Sequence, residues 1–235
     1  MTKKMDGSEF LLDVPESLLD KRWSNYDNEK FYEELKVKEF QDFAAFAGLD
    51  TCCDLELITP HLKKDAAILE VGAGYGRALE YLLQNGYTNL YAIERDKKLC
   101  KVLQEKFGDR VTIFNTDLHA FKTEQKFDAI LWLWAGVMDF SKGEQLGILK
   151  MLMLSLNAKG KLFIDTMLPF QKPANCIFSD GQQHVMKIDG KSILFYCPSY
   201  QEIEDYAHIL GVKYKKNIYE VTTSKQRIMY LHELE

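Results

Sequence analysis

The chain has 235 residues, 46% hydrophobic and 28% charged, with a net charge of −5. This length suits one large domain with a buried core, and the acidic balance gives no electrostatic ground for a nucleic-acid or anionic-membrane partner. No apolar run approaches the roughly 20 residues a bilayer span needs, and no apolar segment follows the lysines of MTKKMDGSEF to make a secretory signal. Five cysteines with no C-x-x-C pair fit neither structural zinc nor a disulfide framework, so the expectation is a metal-free cytoplasmic protein.

Residues 9–62 carry no strand signal, and WSNYDNEKFYEELKVKEFQDFAAFAG reads as one or two helices. AAILEV (66–71) is a short apolar run suited to a buried parallel strand. RALEYLLQNGY has apolar residues at helical spacing and stops at Asn85-Gly86. NLYAIERD (89–96) is strand-like, KKLCKVLQEKFGD (97–109) helical, and VTIFNTD (111–117) and FDAILWLW (127–134) are strands. GEQLGILKMLMLSLNAKG (143–160) predicts a long amphipathic helix, followed by the strand KLFIDTM (161–167). Strands and helices alternating in this way imply βαβ units and a parallel sheet covered on both faces. Beyond them MLPFQKPANC reads as loop, and HVMKIDGKSILFYC as a hairpin turning at Asp189-Gly190. YQEIEDYAHILG (200–211) predicts a helix. YKKNIYEVTT and QRIMYLHEL, joined tightly through Ser224-Lys225, must be antiparallel strands.

The stretch LEVGAGYGRALE (69–80) places three glycines in five residues between a strand and a helix. A phosphate loop of the G-x-x-x-x-G-K-[ST] kind is excluded, because no Lys-Ser/Thr follows. A dinucleotide loop needs G-x-G-x-x-G, and Arg77 stands where its third glycine belongs. Glu94 ends the next strand at the distance of a ribose-hydroxyl acceptor. The ligand therefore carries a ribose diol without needing a pyrophosphate, and Glu70 beside the loop favours one with a cationic end.

These residues resemble the class I methyltransferases that use S-adenosylmethionine. Glu70-Val71-Gly72-Ala73-Gly74-Tyr75-Gly76 is similar to the family's first motif, which continues into Arg77. Glu94, followed by Arg95, matches the acid that holds both ribose hydroxyls. Asp117-Leu118 matches the segment that contacts the adenine. Phe127-Asp128-Ala129-Ile130 matches the opening of the fourth strand, and Leu133-Trp134-Ala135 lies where the family lines the methionine end. Asn157 to Leu162 resembles the turn before the fifth strand, without its proline and with a lysine for a glycine. The resemblance implies a Rossmann-like three-layer α/β sandwich: a mostly parallel seven-stranded sheet closing with an antiparallel C-terminal hairpin. It divides one methyltransferase domain into an N-terminal helical extension or lid (1–62), an S-adenosylmethionine-binding half (63–167), an insertion (168–199), and a C-terminal helix and hairpin (200–235). It also implies S-adenosylmethionine as donor, S-adenosylhomocysteine as product, and a monomer or homodimer.

The acceptor has no such signature. WLWAGVMDF after the fourth strand lacks the N-P-P-Y or D-P-P-Y of base amino methyltransferases, and no Pro-Cys dipeptide supplies a cytosine C5 nucleophile. A small molecule accepting through nitrogen or oxygen is expected, with a protein side chain as the second choice, and without nucleic acid or membrane. Trp23 and Tyr26 are candidates either for staples of the N-terminal helix or for aromatic walls of a lid over residues 20–46. His119 and His184 read first as surface or loop histidines. If a general base is used, His184 and Asp139 are the candidates; otherwise the proton is lost to water. Only Cys176 and Cys197 flank the insertion closely enough to approach an acceptor, and neither has a basic sequence neighbour, so transfer is expected to be direct. Two other readings stay open: an aminopropyltransferase, which would want a second acid beside Asp139, and a non-catalytic protein that binds the donor.

Overall fold

Short strands with no polar face need cover on both sides, and the helices between them supply it. A computed structural model describes residues 28–168, 176–179, 181–188, 191–221 and 227–235. Three short helices open the described chain: α1 (Asn28–Glu34), α2 (Val37–Ala47) and α3 (Cys53–Ile58). The βαβ run follows, with β1 (Ile68–Val71), α4 (Arg77–Gln84), β2 (Leu90–Glu94), α5 (Lys97–Phe107), β3 (Val111–Asn115), β4 (Phe127–Trp132), α6 (Lys142–Leu154) and β5 (Leu156–Met167). Strands β6 (Cys176–Ser179), β7 (Gln183–Ile188) and β8 (Lys191–Tyr196) come next, then α7 (Tyr200–Leu210), β9 (Tyr214–Val221) and β10 (Arg227–Leu234).

Local chemistry explains these boundaries. Asp96 caps α5 by accepting from the Lys98 amide at 2.7 Å, and Leu99, Leu103 and Phe107 form its buried stripe at i, i+4 and i+8. Ser141 with Glu144, and Ser199 with Glu202, form capping boxes on α6 and α7.

The main sheet runs β3-β2-β1-β4-β5-β10-β9. Strands β1 to β5 pair in parallel, while β10 pairs antiparallel with both β5 and β9. The expected seven-stranded sheet with its antiparallel closing hairpin is therefore present. Because the chain steps outward from β1 through β2 to β3 and then returns to β4 on the other side, a crevice opens beyond the carboxyl ends of β1 and β4. The site occupies this crevice. Leu69, Phe127, Ile130, Leu131 and Phe163 are fully buried at the sheet's centre.

Some boundaries differ from the sequence reading. The helix expected to reach residue 160 ends at Leu154, and β5 begins at Leu156. Asn157 to Leu162, read as a turn, lies within that strand. There the pairing with β4 jumps from Phe127↔Leu156 to Ala129↔Lys161, and a Cβ on Gly160 would stand 2.7 Å from the Phe127 carbonyl oxygen. The extra residues are absorbed as a bulge that glycine lets fold against its neighbour. In the stretch read as loop and hairpin, β6 joins β7 and β8 to make a second, antiparallel sheet. The turns at Asp189-Gly190 and Ser224-Lys225 lie outside the described residues.

Candidate active site

The glycine loop begins where β1 ends. The Gly72 and Ala73 amides donate to the Ile93 carbonyl at 2.9 and 3.1 Å, stitching the loop to the end of β2. Gly72, at φ +69°, has nothing within 4 Å of where a Cβ would stand, and it faces the cavity. Gly76 has another reason to be glycine. At φ +82°, its Cβ would stand 2.5 Å from the Phe107 ring and 2.7 Å from Leu103, so it allows α4 to close on α5. The close-packing role of a dinucleotide loop's third glycine is therefore met one residue before Arg77.

Glu94 lies under this loop. One carboxylate oxygen accepts from the Gly74 amide at 2.7 Å and the other from the Asp96 amide at 2.9 Å. Burial raises its pKa, and the two amides oppose that rise. Asn115 fixes the same turn by donating to the Glu94 and Arg95 carbonyls at 3.1 and 2.9 Å. Asp117 accepts from the His119 amide at 2.8 Å and contacts the His119 ring at Nδ1, 2.9 Å away. The other ring nitrogen lies 3.3 Å from Glu144. Held between these two carboxylates, His119 is pushed up to about 9, and its hydrogen bond holds Asp117 below the usual range. Arg95 stands 3.8 Å from Asp117.

Beyond β4 the backbone turns sharply. Trp134 and Ala135 adopt left-handed conformations at φ +67° and +56°, a strain of about 1–3 kcal/mol each unless the surroundings enforce it. Asp165 enforces it from β5: fully buried, it accepts from the Ala135 amide and, at 2.8 Å, from the Tyr219 hydroxyl. Burial pushes Asp165 up to about 6. Trp134 lines the cavity, and its buried indole N–H has no hydrogen-bond partner among the described residues.

The cavity, of about 460 Å³, runs from Gly72, Glu94 and Asp117 to a wall made by α1 and the second sheet. Phe31 packs on Met186 and Ile193, and the Asn28 side chain clamps α1 to Leu194, donating to its carbonyl at 2.7 Å and accepting from its amide at 3.1 Å. Tyr32 reaches across from α1, its hydroxyl 2.9 and 3.1 Å from the two Asp139 oxygens. Burial pushes Asp139 up to about 7, against the pull of that hydroxyl and of Arg95. Tyr32, Phe40, Tyr75 and Trp134 form a chain of ring contacts over the loop.

Of the residues expected at the site, Gly72, Gly74, Glu94, Arg95, Asp117, Leu118, Leu133, Trp134 and Asp139 line this cavity. Four others do not. Glu70 projects from β1 on the face opposite cavity-lining Val71; it accepts from the Leu79 backbone in the first turn of α4, and burial pushes it up to about 8. It stands outside the cavity, so it is not placed to touch a ligand held there. Arg77 is locked to Asp54 by two bonds of 2.8 and 2.5 Å beneath the loop. Ala73 and Gly76 shape the loop without facing the cavity. His184 is fully buried in β7, and its cross-strand partner Phe195 stands on the cavity wall in its place. No cysteine lines the cavity among the described residues: Cys197 is buried, donates to the Met167 carbonyl and is pushed up to about 12. Trp23 and Tyr26 lie outside the described residues. The sequence reading missed the pairing of Tyr32 with Asp139 and the support from Asp165; the lone acid of KLFIDTM was the signal for the second.

Residues 68–160 match the protein family described as a methyltransferase domain. Ribosomal RNA small subunit methyltransferase A of Anaeromyxobacter sp. (strain K) is 41% identical over 51 residues, 22% of this chain and 18% of that protein. Its counterpart in Pelagibacter ubique (strain HTCC1062) is 37% identical over 51 residues, 22% of this chain and 20% of that protein. The matched stretch is thus about a fifth of these curated relatives' length. Among solved structures, the glycopeptide N-methyltransferase MtfA complexed with S-adenosyl-L-homocysteine aligns at a TM-score of 0.62 and 13% identity, over 76% of this chain and 86% of that one. A DhpI-SAM-HEP complex aligns at 0.64 and 13%, over 88% and 95%. DesVI of Streptomyces venezuelae aligns at 0.63 and 15%, over 85% and 98%. At these identities the likeness is one of fold.

Proposed function

We propose that this chain is a class I S-adenosylmethionine-dependent methyltransferase, a reading supported by its fold and by the match of residues 68–160 to a methyltransferase domain, and that it transfers a methyl group to a nitrogen or oxygen of a small-molecule acceptor. The observation that carries this reading is one continuous cavity joining the Gly72–Glu94–Asp117 end to the Tyr32–Asp139 end. The residues at the first end fit the donor. Gly72 leaves open space where a side chain would intrude, Glu94 and Asp117 present carboxylates, and Trp134 offers an indole N–H without a partner among the described residues. The donor supplies an electrophilic methyl, whose carbon bonds to the acceptor's lone pair as the carbon–sulfur bond breaks with its electrons left on sulfur.

The chain's own work is then alignment, exclusion of water and acceptance of a proton. Residues of α1 and the aromatic chain over the loop line part of the cavity and narrow its access to water. Asp139 is a carboxylate poised near neutrality, where a general base is most effective, and Tyr32 holds it in place. With every described cysteine off the cavity wall, transfer is direct, with no covalent enzyme intermediate. A largely apolar cavity in a chain of net charge −5 favours a small acceptor over the ribosomal RNA acted on by the curated relatives. The match to those proteins is too short to carry acceptor identity.

Isothermal titration tests the donor assignment. S-adenosylhomocysteine should bind at one site and NADH should not; NADH binding without a response to the homocysteine product would refute it.

A further inference from the structure

Four acids line the cavity, and three are already engaged. Glu94 takes two backbone amides, while Asp117 and Glu144 share the His119 ring. Asp139 differs from all of them. Its carboxylate receives the Tyr32 hydroxyl, and among the described residues no basic side chain is in ion-pair contact with it. A carboxylate has about four lone-pair sites, so Asp139 keeps acceptor capacity beside an open cavity. The surrounding wall is apolar and rich in sulfur: Met138, Met167, Met186 and Met229 line it together with Ile193 and Phe195. Flexible thioethers adapt to irregular apolar shapes, and they offer a hydroxyl or an amide no donor and only a weak acceptor.

Resting on the methyl-transfer reading above, we propose that the acceptor is an amine carried on an apolar body, its nitrogen at the Asp139 carboxylate and its body against the methionine wall. A largely desolvated anion with no cation in direct ion-pair contact is costly, and an ammonium group offsets that cost where an alcohol gives only a hydrogen bond from a neutral donor. A polar-bodied amine would strand its hydroxyls against Met and Phe side chains. The same contact prepares the nucleophile. One N–H bond of the ammonium breaks, its electron pair stays on nitrogen as the attacking lone pair, and the proton passes to an Asp139 oxygen. Tyr32 is a positioning residue in this scheme: its hydroxyl orients the carboxylate and favours the anion. The other charged group facing Asp139 is Arg95, after β2, which also favours the anion.

Matched probes test this in protein saturated with S-adenosylhomocysteine: 2-phenylethylamine, 2-phenylethanol and ethanolamine. The phenylethylamine should bind about tenfold more tightly than either of the others. Asp139→Asn should reduce it to the level of the alcohol while the affinity for S-adenosylhomocysteine stays within about twofold. Tyr32→Phe keeps the ring and loses the hydroxyl. It should retain the amine preference and move the acid limb of amine binding to higher pH by about half a unit, because the anion loses a donor. A role in packing alone would not move that limb. Equal binding of amine and alcohol, a preference that survives Asp139→Asn, or an unmoved limb in Tyr32→Phe would each overturn the proposal. If Asp139→Asn fails to fold, the Tyr32→Phe limb decides. Loss of S-adenosylhomocysteine binding in the wild-type protein would remove the donor reading and this inference with it; intact binding with no amine preference removes this inference alone.

Discussion

At the donor end of the cavity the contacts come from successive turns of one βαβ run: Gly72 to Gly76, Glu94 to Asp96, and Asn115 to His119. At the other end Tyr32 meets Asp139, 107 residues away, and Asn28 meets Leu194, 166 residues away. The donor end is held largely by backbone amides at strand ends, so the sheet's topology builds it. The acceptor end is held by side chains that tie α1 to β8 and to the turn after β4, so it can be reshaped with little disturbance to the sheet. Substitutions of the cavity-facing carboxylates at the two ends should therefore separate into effects on donor affinity and effects on turnover.

The largest expected effect is on chemistry alone. Once an acceptor is identified, Asp139→Asn should lower kcat by about 10²- to 10⁴-fold, the range for loss of a general base. Stopped assays on protein that still binds S-adenosylhomocysteine would measure it, and near-normal turnover would mean that the proton goes to water. Next comes Gly76→Val, which forces a β-branched residue into a left-handed backbone against Phe107. It should cost about 2–4 kcal/mol in thermal or denaturant unfolding. An unchanged melting temperature would show that α4 and α5 do not need this close approach. Asn28→Ala removes the clamp between α1 and β8 and should cost about 1 kcal/mol of stability, with faster hydrogen exchange in α1 and unchanged exchange in the glycine loop. The smallest effect belongs to Cys176→Ser with Cys197→Ser, whose kcat per folded molecule should match the wild type. A collapse there with donor binding intact would overturn direct transfer.

The same contrast explains what could be read before the structure. Gly72, Gly74, Glu94 and Asp117 were legible because strand ends return to one edge of the sheet at regular sequence spacing. Asp139 was legible as the single acid of WLWAGVMDF. Glu70 was misjudged because adjacency to a loop was taken for proximity to its ligand, whereas alternation along β1 sends Glu70 and Val71 to opposite faces. His184 was misplaced for a related reason: the hairpin was legible, but which cross-strand partner reaches the wall depends on how β7 and β8 pack against α1. Nothing in the sequence couples Tyr32 to Asp139, since a contact spanning 107 residues leaves no local periodicity. The sharp end of β4 at Trp132 also escaped notice, because the left-handed turn at Trp134 and Ala135 uses residues that carry no turn signal and is held instead by Asp165.

One titration series addresses the central claim, that donor and acceptor are held by separate ends of a single cavity. S-adenosylhomocysteine is titrated into the wild-type protein, Glu94→Ala and Asp139→Asn. Glu94→Ala should weaken binding by about 1–3 kcal/mol through lost charge-assisted hydrogen bonds, and Asp139→Asn should leave the affinity essentially unchanged. Tight binding by Glu94→Ala together with weakened binding by Asp139→Asn would contradict the account.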